Sequence, residues 1–228
     1  MRKKTLNLLG IIINACTAVF SLAGILWYYI SQLCIKMEVE PEVLNFYFTV
    51  NSNIFLVICS IIALVFYVLA YLKDKDIPYW VSIMKLTAVT AVSLTFFTTV
   101  FFLTPVFGSQ DIDLMISFYT KASFFMHVLS PITAMVGFAL FEIHNVIKFK
   151  HIWIAIVPIV IYETIYMSFV FATGNLHYDL YGFAHSYEGD TLHVGRAIVS
   201  IIATPIVSFG LATLWWYLNK LSHKRFIK

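Results

Sequence analysis

Residues 43–72 read VLNFYFTVNSNIFLVICSIIALVFYVLAYL, a run that contains no Asp, Glu, Lys or Arg. A helix needs about 20 apolar residues to cross the hydrocarbon core of a bilayer, which is about 30 Å thick. This run is long enough to cross the core with a tilt. Its polar residues are concentrated near the N-terminal end, in the segment TVNSN at 49–53. The run therefore predicts a transmembrane helix that carries a polar patch close to one membrane surface.

Five other segments have the same length and apolar character. The six predicted spans cover about residues 6–31, 43–72, 80–107, 121–141, 152–172 and 197–219. The whole chain of 228 residues is 61% hydrophobic and 12% charged, whereas a soluble domain is about 45–50% apolar and about 25% charged. This composition excludes a soluble globular domain, a disordered chain and a nucleic-acid partner. It predicts an all-α polytopic membrane bundle of six helices that forms one domain, residues 1–228.

The distribution of basic residues predicts the orientation of the bundle. If the spans alternate in direction, twelve of the fifteen Lys and Arg residues lie on the side of the N-terminus. Cytoplasmic loops are the ones that carry excess Lys and Arg, so both termini are predicted to be cytoplasmic. The excess of Lys over Arg favours a bacterial plasma membrane. The last outer loop, 174–195, is rich in Tyr, Phe and His, and we interpret it as a cap over the outer surface.

Two ionisable residues fall inside predicted spans, His127 in the fourth and Glu163 in the fifth. An ionisable side chain inside a membrane helix costs roughly 2.5–3.5 kcal/mol on insertion scales, so such residues usually have a function. Lys85 lies near one end of the third span, where its side chain is expected to snorkel to the interface. The hydroxyl residues of the third span are interpreted as packing residues: Thr87, Thr90, Thr95, Thr98 and Thr99.

Thr49 and His127 are predicted to lie at the same depth in the membrane. Each is about six residues below the outer end of its span, which at 1.5 Å per residue is roughly 9 Å. A hydroxyl beside an imidazole is the arrangement that a base-activated nucleophile requires. We therefore predict Thr49 as nucleophile and His127 as general base. The candidates for the pocket and for oxyanion donors, besides backbone groups, are Asn51, Ser52, Asn53, Ser130, Glu163 and Tyr166.

The same residues carry a resemblance to a known family. The segment YFTVNSN at 47–53, together with His127 followed by Pro131, resembles the androgen-induced-protein family, which includes the androgen-dependent regulator of tissue-factor pathway inhibitor. The segment is closest to a bacterial branch, described only as six-span membrane proteins. The resemblance implies six spans with cytoplasmic termini. It also implies an atypical threonine hydrolase that cleaves fatty acid esters of hydroxy fatty acids, with Thr49 and His127 as its catalytic residues.

The sequence thus predicts an intramembrane lipid-ester hydrolase whose partner is a membrane lipid or another acyl ester. It predicts no cofactor and no catalytic metal. A hydrolase and an acyltransferase would use the same nucleophile and base, so the sequence leaves that choice open. It also leaves the oligomeric state open.

Three alternatives belong to other functional classes. In a small-solute or proton-coupled transporter, Glu163, His127, Asn14 and Lys85 would form a polar path across the bilayer. In a structural membrane protein, the polar residues would only stabilise helix packing. A metal site in the outer loop would use His177, His185 and His193, but their spacing of eight fits no usual zinc pattern. A polar path at several depths would favour transport, whereas a single cluster would favour hydrolysis.

Overall fold

The computed structural model describes residues 3–35, 46–108, 112–174, 178–179, 181, 184–186 and 189–226. The helices are α1 (Lys3–Ile35), α2 (Phe48–Lys73), α3 (Tyr79–Thr98), α4 (Thr104–Gly108), α5 (Ile112–Ser117), α6 (Lys121–Phe124), α7 (Ser130–Leu140), α8 (Ile152–Thr173) and α9 (Val194–Phe226). Wider π-helical turns, Thr99–Leu103 and Phe125–Leu129, continue α3 and join α6 to α7, and a 3₁₀ turn, Phe149–His151, leads into α8.

Six helical stretches are long and apolar enough to cross a membrane. They are Lys3–Gln32, Phe48–Lys73, Tyr79–Leu103, Lys121–Leu140, Phe149–Thr173 and Val194–Phe226. The prediction of an all-α bundle with six spans is therefore confirmed. We call the end of the bundle that carries the starts of α2 and α6 the outer end, and the opposite end the inner end. These names follow the orientation predicted from the charges.

Local backbone chemistry sets where the helices begin and end. Asp74 adopts a left-handed conformation with φ 52° and ends α2. Pro78 is extended, so that α3 begins at Tyr79. Gly174, with φ 59°, ends α8 and donates its N–H to the Val170 carbonyl at 3.0 Å. A left-handed residue commonly ends a helix, and a proline commonly precedes the start of one.

Helix α3 is the centre of the bundle and packs against α2, α7, α8 and α9. The most apolar stretch of the α3 span is 56% buried, against 17% in α9, which leaves α9 a wide face for lipid. A cluster of buried apolar residues fills much of the core of the bundle. Its fully buried members include Leu56 of α2, Val92 of α3 and Phe138 of α7.

The described part of the outer loop packs against the outer ends of α2 and α8. His185–Ser186 and Gly189–Leu192 form a short antiparallel hairpin. The Asp179 carboxylate accepts hydrogen bonds from the Tyr166 hydroxyl and from the Ala184 N–H, both at 2.8 Å. His177 and the side chain of His185 lie outside the described residues, and so therefore does the proposed outer-loop metal site.

The inner half of the bundle contains a buried polar cluster around Lys85. The Lys85 ammonium lies 3.3 Å from Glu142 Oε1 and donates to Ser60 Oγ at 3.1 Å. The two charged side chains are 1% and 4% exposed. The expectation that Lys85 snorkels to the interface is wrong, because Glu142, just beyond the end of α7, supplies a buried counter-ion.

Candidate active site

Thr49 and His127 form a hydrogen bond at the outer end of the bundle. Thr49 Oγ1 lies 3.2 Å from His127 Nε2. His127 is 8% exposed, and Thr49 is half-buried. The structure therefore brings together the two residues whose depths were predicted to match.

The second ring nitrogen of His127 determines the direction of this bond. His127 Nδ1 lies 3.1 Å from the Ser123 carbonyl, which can only accept a hydrogen bond. Nδ1 therefore carries the proton, and Nε2 is left with a lone pair. Consequently the Thr49 hydroxyl donates to Nε2, which is the arrangement of a nucleophile beside its general base.

A π-helical turn places the imidazole. His127 is the middle residue of Phe125–Leu129, and the turn is closed by a bond from the Ser130 N–H to the Phe125 carbonyl. Pro131 has no N–H for the usual bond to the His127 carbonyl, and its ring would crowd that carbonyl in a regular helix. A wider turn removes this conflict, and such turns are frequent at functional sites.

Thr49 is the second residue of α2, where the backbone N–H groups have no partner within the helix. The Asn51 N–H reaches the Tyr47 carbonyl at 3.1 Å, and the Phe48 N–H donates to the Tyr181 hydroxyl at 2.7 Å. No acceptor among the described residues faces the N–H of Thr49 or of Val50. The helix therefore presents two backbone donors beside the candidate nucleophile, at its positive end.

Asn53 connects the helix of the nucleophile to the turn of the base. Its side-chain amide donates to the Thr49 carbonyl at 2.8 Å and to the Met126 carbonyl at 3.1 Å. Its oxygen accepts from Ser21 Oγ at 2.8 Å. Both amide hydrogens are thus occupied, so Asn53 does not fit the predicted role of oxyanion donor and positions Thr49 and His127 instead.

Three other predicted side chains do not reach the site as oxyanion donors. Ser52 lies 3.1 Å from Thr95 Oγ1 and donates to the Thr49 carbonyl at 3.1 Å. Asn51 is exposed and bonds back to the Tyr47 carbonyl. Ser130 Oγ is fully buried and lacks a partner among the described residues. The physical reason is that Ser52 and Asn51 use side-chain donors on backbone carbonyls at the start of α2, and that the Ser130 hydroxyl does not line the cavity.

Thr49 opens into a cavity under the outer loop. Its empty space, including the part open to the surroundings, is about 600 Å³. It is lined by Phe48, Thr49, Leu94, Thr95, Thr98, Thr99, Leu103, Ile159, Tyr162, Glu163, Tyr166, Tyr181 and Thr204. Of the predicted pocket residues, Glu163 and Tyr166 therefore line the cavity. Asn51, Ser52, Asn53 and Ser130 do not.

Three hydroxyl residues of the third span were interpreted as packing but line this cavity. They are Thr95, Thr98 and Thr99. Their spacing of three and four residues places them on one face of the helix, near its outer end. A hydroxyl face at the depth of Thr49 is the signal that could have identified them from sequence.

Tyrosines from the outer loop and from α8 close the outer side of the cavity. Tyr162 donates to the Phe46 carbonyl, and the Tyr166 ring lies 5.5 Å from that of Tyr181. Burial raises the pKa of Tyr181 to about 12. Its hydroxyl therefore stays neutral and can keep accepting the bond from the first N–H of α2.

Glu163 brings a carboxyl group into the same cavity. It is 6% exposed, and its Oε1 accepts from Ser200 Oγ of α9 at 3.2 Å. Thr204 of α9 is a second hydrogen-bonding partner. Among the described residues no cluster of three or more His, Cys, Asp or Glu has the geometry of a metal site.

Residues 120–225 match a family described as "Protein of unknown function (DUF1600)". The matched region contains His127 and Glu163, whereas Thr49 lies before its first residue. Neither curated proteins nor solved structures show a match to this chain.

Proposed function

We propose that this membrane protein is a lipid-ester hydrolase whose nucleophile is Thr49 and whose general base is His127. The observation that carries the proposal is the bond of 3.2 Å between Thr49 Oγ1 and His127 Nε2, made at the edge of a mostly apolar cavity. If the charge-based orientation holds, the site lies in the outer leaflet of a bacterial plasma membrane. The resemblance to the androgen-induced-protein family supports the same pair of residues.

In the first half of the reaction, Thr49 Oγ1 attacks the ester carbonyl carbon while His127 Nε2 takes the hydroxyl proton. The N–H groups of Thr49 and Val50 are assigned as donors to the developing oxyanion, which the positive end of α2 also stabilises. When the tetrahedral intermediate collapses, the C–O bond to the alcohol breaks. The alcohol leaves with the proton from His127, and the acyl group remains on Thr49.

In the second half, His127 Nε2 removes a proton from water, which attacks the acyl-Thr49 carbonyl. The second intermediate collapses, releases the fatty acid and returns the proton to Thr49 Oγ1. If an alcohol replaces water, the same steps transfer the acyl group. The Ser123 carbonyl accepts the Nδ1 proton of His127 and so keeps the imidazole in the tautomer with a free Nε2 lone pair. A carboxylate has this role in many catalytic triads.

The alternative of a transporter requires polar groups along one continuous path. Ser52, near the site, and Ser60, beside Lys85, are eight residues apart on α2, a rise of about 12 Å. Between them on α2 lies Leu56, which is 0% exposed. On α1, however, the buried side chains of Asn14 and Ser21 reach both polar regions, since Asn14 donates to Glu142 at 3.2 Å and Ser21 donates to Asn53 at 2.8 Å. The hydrolase is preferred because the hydroxyl of Thr49, bonded to His127, opens into the cavity.

The direct test is labelling of the purified protein with a long-chain fluorophosphonate in detergent. We expect wild-type protein to be labelled and Thr49→Ala and His127→Ala to lose labelling. Thr133→Ala is the matched control, because its hydroxyl bonds back to the Leu129 carbonyl and does not line the cavity. Absence of labelling in folded wild-type protein, or equal labelling of Thr49→Ala, would contradict the proposal.

A further inference from the structure

Glu163 lines the same cavity as Thr49, although the proposed chemistry does not use it. The residues that precede them in the chain, Tyr162 and Phe48, have ring centroids 4.9 Å apart. A carboxyl group therefore lines the cavity in which an ester would react.

The carboxyl group retains hydrogen-bonding capacity. The hydroxyls of Ser200 and Thr204, both on α9, are its described partners. A carboxylate accepts about four hydrogen bonds, so two such donors leave part of it unused. Burying a carboxyl group in an apolar region is costly unless its hydrogen bonds are made. A ligand that brings a donor would complete them.

Resting on the proposed function, we propose that Glu163, held by Ser200 and Thr204, binds a free hydroxyl group of the substrate. The substrate class is then an uncharged acyl ester with an unesterified hydroxyl, such as a monoacylglycerol. The hydroxyl donates to Glu163 while the ester carbonyl lies at Thr49. An ester with an ionised carboxylate is disfavoured, because that group cannot donate to Glu163. The proposed substrate therefore differs from the fatty acid esters of hydroxy fatty acids that the family resemblance implies, since those esters carry a carboxylate.

The remainder of the cavity suits such a lipid. Its apolar residues, including Leu94, Leu103 and Ile159, provide a surface for an acyl chain. A mostly apolar pocket with a few placed polar groups is the common form of a ligand site.

The first experiment changes the substrate and leaves the protein unaltered. We compare kcat/KM of wild-type protein for a monoacylglycerol, its dimethyl ether analogue and an acyl ester of the same chain that bears a carboxylate. We expect the monoacylglycerol to be preferred by about 10–100-fold, because the dimethyl ether leaves a buried polar group of the site without its hydrogen bond. Equal values for the monoacylglycerol and its dimethyl ether would overturn the proposal.

The second experiment changes Glu163. In Glu163→Leu the preference for the monoacylglycerol over its dimethyl ether should disappear, whereas Glu163→Gln, which keeps an acceptor oxygen, should retain most of that preference. The control is Thr164→Val, because that exposed hydroxyl bonds back to Val160. A preference that survives in folded Glu163→Leu would overturn the proposal.

A binding measurement separates this proposal from the hydrolase proposal. A monoalkylglycerol ether cannot be hydrolysed, so its binding to Thr49→Ala in micelles does not depend on catalysis. We expect the Kd of this ether for the single variant Thr49→Ala to be at least about 10-fold lower than its Kd for the double variant that also carries Glu163→Leu. Equal binding overturns the hydroxyl subsite. If binding depends on Glu163 but Thr49→Ala still hydrolyses esters at the wild-type rate, the assignment of Thr49 as nucleophile is overturned and the hydroxyl subsite is not.

Discussion

The outer and inner halves of this bundle contain the same kinds of buried polar residue in different surroundings. Each half has an Asn whose amide donates to two backbone carbonyls. Asn53 does so near the outer end and Asn219, at 2.7 and 3.1 Å, near the inner end. Each half also has a buried Glu and a His, of which His127 is buried and His144 is half-buried. Residue type therefore does not distinguish the candidate site from the structural cluster.

The two halves differ in the partners of their histidines. His144 uses both ring nitrogens on side chains, Asn7 at 2.6 Å and Tyr67 at 3.3 Å. His127 instead faces the hydroxyl of Thr49, which opens into the cavity. A buried polar residue can take part in chemistry when its partner is reachable by a substrate. It is structural when every partner is internal.

The largest expected effect compares the two histidines. His127→Ala should lower kcat/KM for an acyl ester by about 10³-fold, since general bases contribute 10²–10⁴-fold. His144→Ala should leave kcat of the folded protein within about threefold and lower the unfolding midpoint. Ester hydrolysis and thermal unfolding in the same detergent measure both quantities. The comparison fails if the two variants lose activity equally.

The second prediction concerns the ion pair of the inner half. Glu142→Ala leaves Lys85 buried without its counter-ion and should lower the free energy of unfolding by about 3–5 kcal/mol. The double variant Lys85→Met with Glu142→Leu should recover most of that loss, because an apolar pair removes both charges. Denaturant titration in micelles gives the values. A double variant as unstable as Glu142→Ala would contradict a purely structural pair.

The third prediction uses the two matched asparagines. Asn53→Ala and Asn219→Ala each remove two bonds to backbone carbonyls, so each should cost about 1–3 kcal/mol of stability. Only Asn53→Ala should also lower kcat, by about 10-fold or more, since a small misplacement of reacting groups is costly. KM should change little. Equal kcat in the two variants would show that Asn53 does not position Thr49 and His127.

The smallest effect is a pH dependence of stability in the inner half. Burial, followed by the nearby charges of Lys3 and His223, lowers the pKa of His144 to about 4. The unfolded chain binds this proton near pH 6.5 and the folded chain only near 4. Stability should therefore be full above pH 6.5 and fall as the pH drops towards 4. His144→Gln should flatten the unfolding curve in that window, and an unchanged slope would refute the assignment.

The six spans could be predicted because length and hydropathy alone decide them, and a common depth for Thr49 and His127 follows from helix rise. Which face each residue presents could not be predicted. The π-helical turn places His127 beside Thr49. Pro131 is its only signal in the sequence, and a proline can equally produce an ordinary kink. Asn53 and Ser52 share the helix face of Thr49, yet their side chains bond to the Thr49 carbonyl and to Met126 or Thr95, partners that the sequence alone does not indicate.

The buried ion pair was missed for a related reason. Lys85 was expected to reach the interface because Glu142 lies just beyond the end of a predicted span, where it counts as a loop residue. The structure turns the inner loop back into the bundle, so that Glu142 is 4% exposed. Its backbone carbonyl is satisfied by Asn219, as non-helical backbone at membrane depth requires.

The most direct test of the account is to map the residue modified by a long-chain fluorophosphonate, using peptide mass spectrometry of the labelled protein. The account predicts a phosphonyl adduct on Thr49 in wild-type protein, in the peptide that contains residues 47–53, and none in His127→Ala. An adduct on another hydroxyl of the cavity, such as Thr95 or Tyr166, or an undiminished adduct on Thr49 in His127→Ala, would contradict it.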